Sequence, residues 1–293
     1  MKSSLLAQRA MPVATMLAAV LLLWYVGSVG LNAAGAIERV LAPKGPYSTL
    51  DLIATTLEMQ RPVLPAPHQV ALELWHSLLD WPLDSPRNLL YHVAVTAQST
   101  LVGFVLGTLL GVALAAAIVH SRTLDRALLP WIVASQTVPV LAIAPIVLVI
   151  LGSLGFSGVA PKATIAMYLC FFPVTVAMVQ GLRSPQRIET ELMHTYAASR
   201  LQSFWLLRVP AALPYLFPSL RVAIAAGLVG AMVAELPTGA QAGLGARLLT
   251  GSYYGNTVAI WAALVMSALL GLLLTVAVGG VEKLALRSRR AAG

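Results

Sequence analysis

This sequence is poor in charge. Only 10 % of its 293 residues are Asp, Glu, Lys or Arg, against 58 % hydrophobic, where a soluble domain ordinarily carries about 25 % charged residues. A surface so poor in charge could not be kept in water. Cysteine is nearly absent too. Cys170 stands alone in an apolar stretch, which excludes disulfides within the chain and Cys-based metal sites, and it reads as a small buried apolar residue. No Gly-x-x-x-x-Gly-Lys-Ser/Thr phosphate loop occurs, so ATP is not expected to bind by that route. His68, His76, His92, His120 and His194 lack metal-ligand spacing, and there is neither a serine nucleophile elbow nor a paired His-Glu motif. No enzyme activity, cofactor or metal is therefore expected. The net charge of +8 does not point to nucleic acid either, because the basic residues are spread thinly between apolar segments.

What the chain does have is long apolar runs. Crossing the hydrocarbon layer takes about 20 apolar residues as helix, and windows near 11–31, 93–119, 129–151, 163–182, 212–236 and 258–281 meet that length. The first lies behind Lys2 and Arg9 and is followed by Ala34-Gly35-Ala36, which resembles a cleavage site; its length, with Trp24 and Tyr25 inside it, favours an uncleaved first helix. Residues 32–91 carry six acids against four bases and no spanning window. They are expected outside the lipid, with a short interfacial helix after Pro65-Ala66-Pro67 built on Val70, Leu72, Leu74, Leu78 and Leu79. A division follows: residues 1–91 as first span plus external segment, residues 92–293 as the transmembrane core. With both termini in the cytoplasm, Lys2, Arg9, Arg122, Arg126, Arg183, Arg187, Arg200, Arg208, Lys283, Arg287, Arg289 and Arg290 lie inside. Arg39, Lys44, Arg61, Arg87, Lys162 and Arg247 lie outside, as the positive-inside rule prefers.

Within the windows, Gly103, Gly107, Gly111 and Ala115 form one small-residue stripe and Ala223, Gly227 and Ala231 another, the pattern that lets helix backbones approach closely in lipid. Pro139, Pro145, Pro173, Pro214 and Pro218 predict kinks or breaks. Ser135-Gln136-Thr137 and Glu235 are polar at membrane depth, which is costly unless they meet a cavity or a partner. They are the candidate pathway residues, with Glu235 equally readable as an interfacial carboxylate. Arg221 is expected to snorkel to the cytoplasmic interface.

Residues 181–214 are too polar to span and too patterned for a spacer. Ser184-Pro185 suits a helix start, Leu192, Tyr196 and Ser199 recur at helical spacing, and Pro210 cannot continue the preceding helix without a break. A pair of short helices is predicted on the cytoplasmic face. The segment resembles the loop of binding-protein-dependent ABC importer permeases, whose pattern is Glu-Ala-Ala, three residues, Gly, nine residues, Ile, one residue, Leu-Pro. Glu191 matches the Glu, Leu207 takes the Ile position and Val209-Pro210 stands for Leu-Pro. Leu192-Met193 replace Ala-Ala, and Ala197 replaces the Gly, although Ala resists φ > 0. Leu64-Pro65-Ala66-Pro67, Pro139-Val140-Leu141-Ala142-Ile143-Ala144-Pro145, Phe172-Pro173 and Gly243-Leu244-Gly245 extend the likeness to the nitrate, sulfonate, taurine and thiamine-precursor branch.

The resemblance implies an all-α type I ABC importer permease fold in the inner membrane, with about six spans and a coupling loop near 183–210. It also implies an ABC ATPase, an external solute-binding protein and a second permease copy as partners. By the same likeness the loop docks on the ATPase through Glu191, Ser199 and Arg200 as polar contacts and Tyr196, Phe204 and Trp205 as apolar anchors, with Ala197, Leu207 and Pro210 shaping it. An ion-coupled secondary transporter is the rival reading, but it should show inverted repeats and carboxylates on several helices. Only Glu235 answers to that.

Overall fold

A computed structural model describes residues 2–237 and 242–290, with side chains described for 11–237 and 242–285. Among the described residues every regular element is helical. The chain divides into two compact units, residues 1–90 with 247–265 and residues 91–246 with 266–293.

In the first unit α1 (Lys2–Ala36) continues through a π turn, Ile37–Leu41, and a 3-10 turn, Ala42–Lys44. Two short helices follow. The first, α2 (Thr49–Leu57), was not foreseen; it opens on a capping box in which the Asp51 amide donates to Ser48 Oγ at 3.2 Å and the Ser48 amide to Asp51 Oδ2 at 2.9 Å. Those bonds from Ser48 hold the Asp51 carboxyl below its ordinary value. The second, α3 (Pro67–Leu79), is the expected short helix after the Pro-Ala-Pro run. The approach to it is pinned to α1. Asn32 donates to the Leu64 carbonyl at 2.8 Å and accepts from the Val63 amide at 2.7 Å, while Trp24 Nε1 donates to the Pro65 carbonyl at 2.9 Å.

The second unit is built around α4 (Leu89–His120), α5 (Arg122–Ser135), α6 (Val140–Ser153), α7 (Val159–Leu182), α8 (Arg187–Thr195), α9 (Arg200–Ser203) and α10 (Val209–Ala234). Helices α11 (Leu244–Tyr253) and α12 (Thr257–Arg290) complete the order. The apolar composition of α4, α6, α7 and α10, with almost no helical period, suits helices surrounded by lipid and by one another. Among the described residues, five stretches are long and apolar enough to cross a membrane: Met11–Lys44, Leu89–His120, Val159–Leu182, Arg200–Ala234 and Thr257–Ala285. The window at 129–151, expected as one span, is instead broken into α5 and α6, bent by 103°, and makes a sixth if the pair is counted as one. Pro139 explains the break. Its ring would clash with the carbonyl of Ser135 and it has no N–H to give, so α5 ends at Ser135, Gln136–Val138 form a turn, and the Tyr168 hydroxyl donates to the freed Ser135 carbonyl.

Both small-residue stripes face α7. A Cβ on Gly107 would lie 2.5 Å from Cys170 Cβ and 2.8 Å from the Met167 carbonyl, and one on Gly111 would lie 2.8 Å from the Phe171 carbonyl. From the other side a Cβ on Gly227 would lie 2.6 Å from Cys170 Sγ, and one on Gly230 would lie 3.1 Å from Ala166 Cα. Helix α7 is thus clasped between α4 and α10, with Ala115, Cys170, Val174 and Ala223 fully enclosed. Where lipid removes the hydrophobic drive, this backbone-close packing is what joins the helices. Arg221, expected to snorkel, instead pairs with Glu282 of α12.

Candidate functional site

The predicted docking loop takes shape from α7 to α10. Helix α7 ends at Leu182, and Arg183 pairs with Asp125 at 2.9 Å. Helix α8 then starts at Arg187, where the Glu189 side chain accepts from the Gln186 amide at 2.7 Å. One turn on, Arg187 Nε donates to Glu191 Oε1 at 2.7 Å, an exposed i,i+4 pair worth only about 0.3–0.5 kcal/mol. Glu191 is therefore free to exchange that partner for another.

Past α8 the chain reverses. Ala197 adopts φ +52° and has the only positive φ among the described non-glycine residues, so a left-handed turn of the kind glycine favours is held here at Ala, at about 1–2 kcal/mol of strain. Such strain held at one place is a mark of a geometry that the surroundings impose. Ser199 then caps α9, its hydroxyl accepting from the Gln202 amide at 3.2 Å while Gln202 Oε1 accepts from the Ser199 amide at 2.8 Å.

The second short helix differs from expectation because it does not stop before Pro210. Residues Phe204–Arg208 form a π turn, closed by the Val209 amide to the Phe204 carbonyl, and Pro210 sits in the first turn of α10. The wider turn inserts one residue, so the proline's missing N–H and its ring are accommodated without a break. Helix therefore runs from Arg200 to Ala234. Tyr196 and Trp205 project into the open at 76 % and 60 % exposure, beside exposed Ile188, Leu192, Leu201 and Leu206. Phe204 turns inward, its ring edge-on to His120 at 4.7 Å, and Leu207 joins it in the wall of an open recess of about 350 Å³ between the end of α4 and the loop.

The pathway candidates separate into two places. Ser135, Gln136 and Thr137 form the bend between α5 and α6; Ser135 and Thr137 return their hydroxyls to the carbonyls of Ile132 and Ala134 at 2.7 and 2.8 Å, and the Gln136 side chain is exposed. Glu235, by contrast, is fully buried at the end of α10. Thr96 donates to its two oxygens at 3.0 and 2.9 Å, the Gly245 amide at 2.9 Å, and Lys162 Nζ at 3.4 Å. Lys162 also donates to the Ala242 carbonyl at 2.6 Å, so this residue is a buried partner and not the free outer charge the sequence suggested. The Gly243 and Leu244 amides donate to His92 Nδ1 at 3.0 Å and Thr96 Oγ1 at 2.8 Å. Gly243 holds φ +126°, and a Cβ there would fall on the Glu235 carboxylate, which explains glycine at that position. The Gly243-Leu244-Gly245 run thus folds its backbone onto Glu235 and α4.

Sequence reasoning missed Lys162, His92 and Thr96. The two on α4 sit four residues apart, with buried Ser99 and Thr100 a turn further on, a polar helical face that was legible. Lys162 lies 73 residues from Glu235, and no local pattern connects them.

Residues 107–287 match the binding-protein-dependent transport system inner membrane component family. The chain is 32 % identical over 231 residues to a formylaminopyrimidine transport permease protein of Halalkalibacterium halodurans, covering 78 % of this chain and 86 % of that one. It is 33 % identical over 225 residues to a riboflavin transport system permease protein of Chloroflexus aurantiacus, covering 77 % and 80 %. With a taurine transport system permease protein of Escherichia coli the identity is 25 % over 228 residues, covering 78 % and 81 %. The spans, the loop and these matches place the chain in one family: it is a membrane-spanning permease of the binding-protein-dependent transport system inner membrane component family.

Proposed function

We infer that this permease serves an ATP-driven ABC importer, with ATP hydrolysis in a separate subunit docked on α8 and α9 and solute delivered by an external binding protein. The observation that carries the reading is the loop itself. Projecting Trp205 lies on the helix that runs unbroken from Arg200 to Ala234, and an exposed carboxylate in a weak pair, projecting Tyr196 and a strained turn stand immediately before it. Exposed aromatics beside exchangeable charges suit a partner surface. Continuous helix passes a partner's closure into the membrane as a rigid-body movement. Glu191 and Ser199 act as polar contacts, while Phe204, Leu207 and Pro210 shape the loop from within; Arg200, expected as a third contact, lines the recess behind the loop.

The distribution of basic residues supports a cytoplasmic side for both termini. Residues 92–293 are the transport core, residues 1–91 its external and interfacial lead-in, and a second copy of the chain completes the pathway. The solute belongs with heterocyclic vitamin precursors or small anions of the taurine and nitrate kind. The higher identities to the formylaminopyrimidine and riboflavin permeases favour the heterocycle. Ser135, Gln136 and Thr137 supply polar groups along its route, with Glu235 fixing the helix ends beside it.

The test is a pull-down of the full chain from its native membrane. An ATPase subunit is expected to co-purify with the wild type and to be depleted about tenfold or more by Glu191→Arg, a reversal of charge at the contact; a wild type that brings no ATPase under gentle conditions would overturn the reading in favour of ion coupling. For the route, Gln136→Ala is expected to slow uptake of labelled solute in cells while leaving ATPase co-purification intact. Normal uptake by that variant would remove the bend from the pathway.

A further inference from the structure

The recess between the end of α4 and the docking loop is lined by Arg200, Arg208, His120 and His194, with Thr190 and Ser203, and by no acidic residue. Neighbouring arginines are neutralised: Arg183 by Asp125 at 2.9 Å and Arg187 by Glu191 at 2.7 Å. The side chains of Arg200 and Arg208 make no hydrogen bond or ion pair with any described residue, so two guanidinium groups border one cavity without a counter-charge. The lining positions 200, 203, 204, 207 and 208 follow three- and four-residue spacing, which turns one helical face to the recess. Along the axis the two arginines are about 12 Å apart, within reach of a single ligand group when both side chains bend toward it. The floor is the last turn of α4, at Val119 and His120, where a span ends. Phe204 and Leu207 add apolar wall beside the cations.

We propose that this recess binds the phosphate of an anionic phospholipid headgroup from the inner leaflet, an assignment that rests on the reading of α8 and α9 as cytoplasmic. Guanidinium forks present paired donors that match phosphate oxygens. A basic pocket between helices at a cytoplasmic span end suits a lipid headgroup. The apolar wall gives the glycerol and first methylenes a surface that a carboxylate from a partner protein would not need. A lipid seated there would brace the π turn and the start of α10 from the inside of the loop, leaving its outer face to the partner.

The experiment is native mass spectrometry of the full chain released from detergent micelles holding equal amounts of phosphatidylglycerol and phosphatidylcholine. The wild type is expected to retain phosphatidylglycerol selectively, and Arg208→Gln to weaken that retention about tenfold, the loss of one charge-assisted contact. Arg126→Gln, an exposed basic change away from the recess, is expected to retain lipid as the wild type does. Three results would overturn the proposal: no preference in the wild type, equal retention by Arg208→Gln, or equal loss by Arg126→Gln, which would reduce the effect to general surface charge. Inorganic phosphate bound with no lipid preference would move the source of the phosphate to solution and sink the lipid assignment. The same Arg208→Gln chain is carried through the ATPase pull-down. Loss of the ATPase without any lipid selectivity in the wild type would give the recess to a partner's carboxylate instead. Because the lipid measurement needs no ATPase, a failed pull-down of the wild type leaves its outcome to be read on its own.

Discussion

Glu235→Ala is expected to lower the stability of the folded chain by about 3–5 kcal/mol, the cost of leaving a buried charge without its partner. Lys162 is the residue left behind: its ammonium is nearly enclosed and, among the described residues, has only the Ala242 carbonyl besides the carboxylate. The same change strips an acceptor from Thr96 and from the Gly245 amide, and unmet buried donors cost about 1–3 kcal/mol each. The readout is thermal unfolding of the purified chain in detergent, followed by intrinsic fluorescence, where a fall of about 10 °C is expected for a destabilisation of this size. The double variant Lys162→Met with Glu235→Ala removes the orphaned cation and should recover about half of the loss, since buried ion pairs often give way to apolar residues at little net cost. A double variant no more stable than the single would place the cost in the Gly243–Gly245 backbone and Thr96 and defeat the ion-pair explanation.

Gly107→Ala is the second large effect. In an ordinary helix the exchange stabilises by about 0.5–1 kcal/mol, so its sign here is diagnostic. A methyl at Gly107 would sit 2.5 Å from Cys170 Cβ and 2.8 Å from a backbone carbonyl, and backbone cannot turn aside as a side chain can. Separating α4 from α7 is the remaining escape, and overpacking of that kind costs about 1–3 kcal/mol. Gly152→Ala is the matched control, because nothing lies within 4 Å of the added carbon. A loss of several degrees in melting temperature is expected for Gly107→Ala and none for Gly152→Ala. Equal behaviour of the two would mean that α4 and α7 do not touch through the stripe.

These two sites show how unevenly the structure could be read in advance. The stripes at 103, 107, 111 and at 223, 227, 231 were visible because close helix packing in lipid needs small residues at a fixed interval, yet which helix they meet was not, since α7 has no stripe of its own at that spacing. Spans were legible from apolar length alone. The exception, 129–151, looked continuous because hydropathy does not register a missing N–H; Pro139 divides it through geometry, with Tyr168 meeting the carbonyl it frees. The same property misled at Pro210, where one extra residue in a π turn absorbs the proline and the helix continues. In the loop, motif spacing singled out Glu191, Ala197 and Leu207, while the inward turn of Phe204 depended on His120, which lies 84 positions earlier and is tied to it by no pattern in the chain. Glu235 was singled out by its cost in lipid, but its partners came from helices far apart in sequence.

The place of Cys170 has a chemical consequence. Its thiol is fully enclosed, with Sγ 3.1 Å from the Ala223 carbonyl and the position of a Gly227 Cβ only 2.6 Å away. No other cysteine occurs in the sequence. Alkylating reagents need an accessible thiolate, so maleimides and methanethiosulfonates find nothing to modify in the folded chain. A single cysteine introduced at Tyr196 would then carry a spin label or fluorophore alone, with the native thiol left in place and the α7 packing undisturbed.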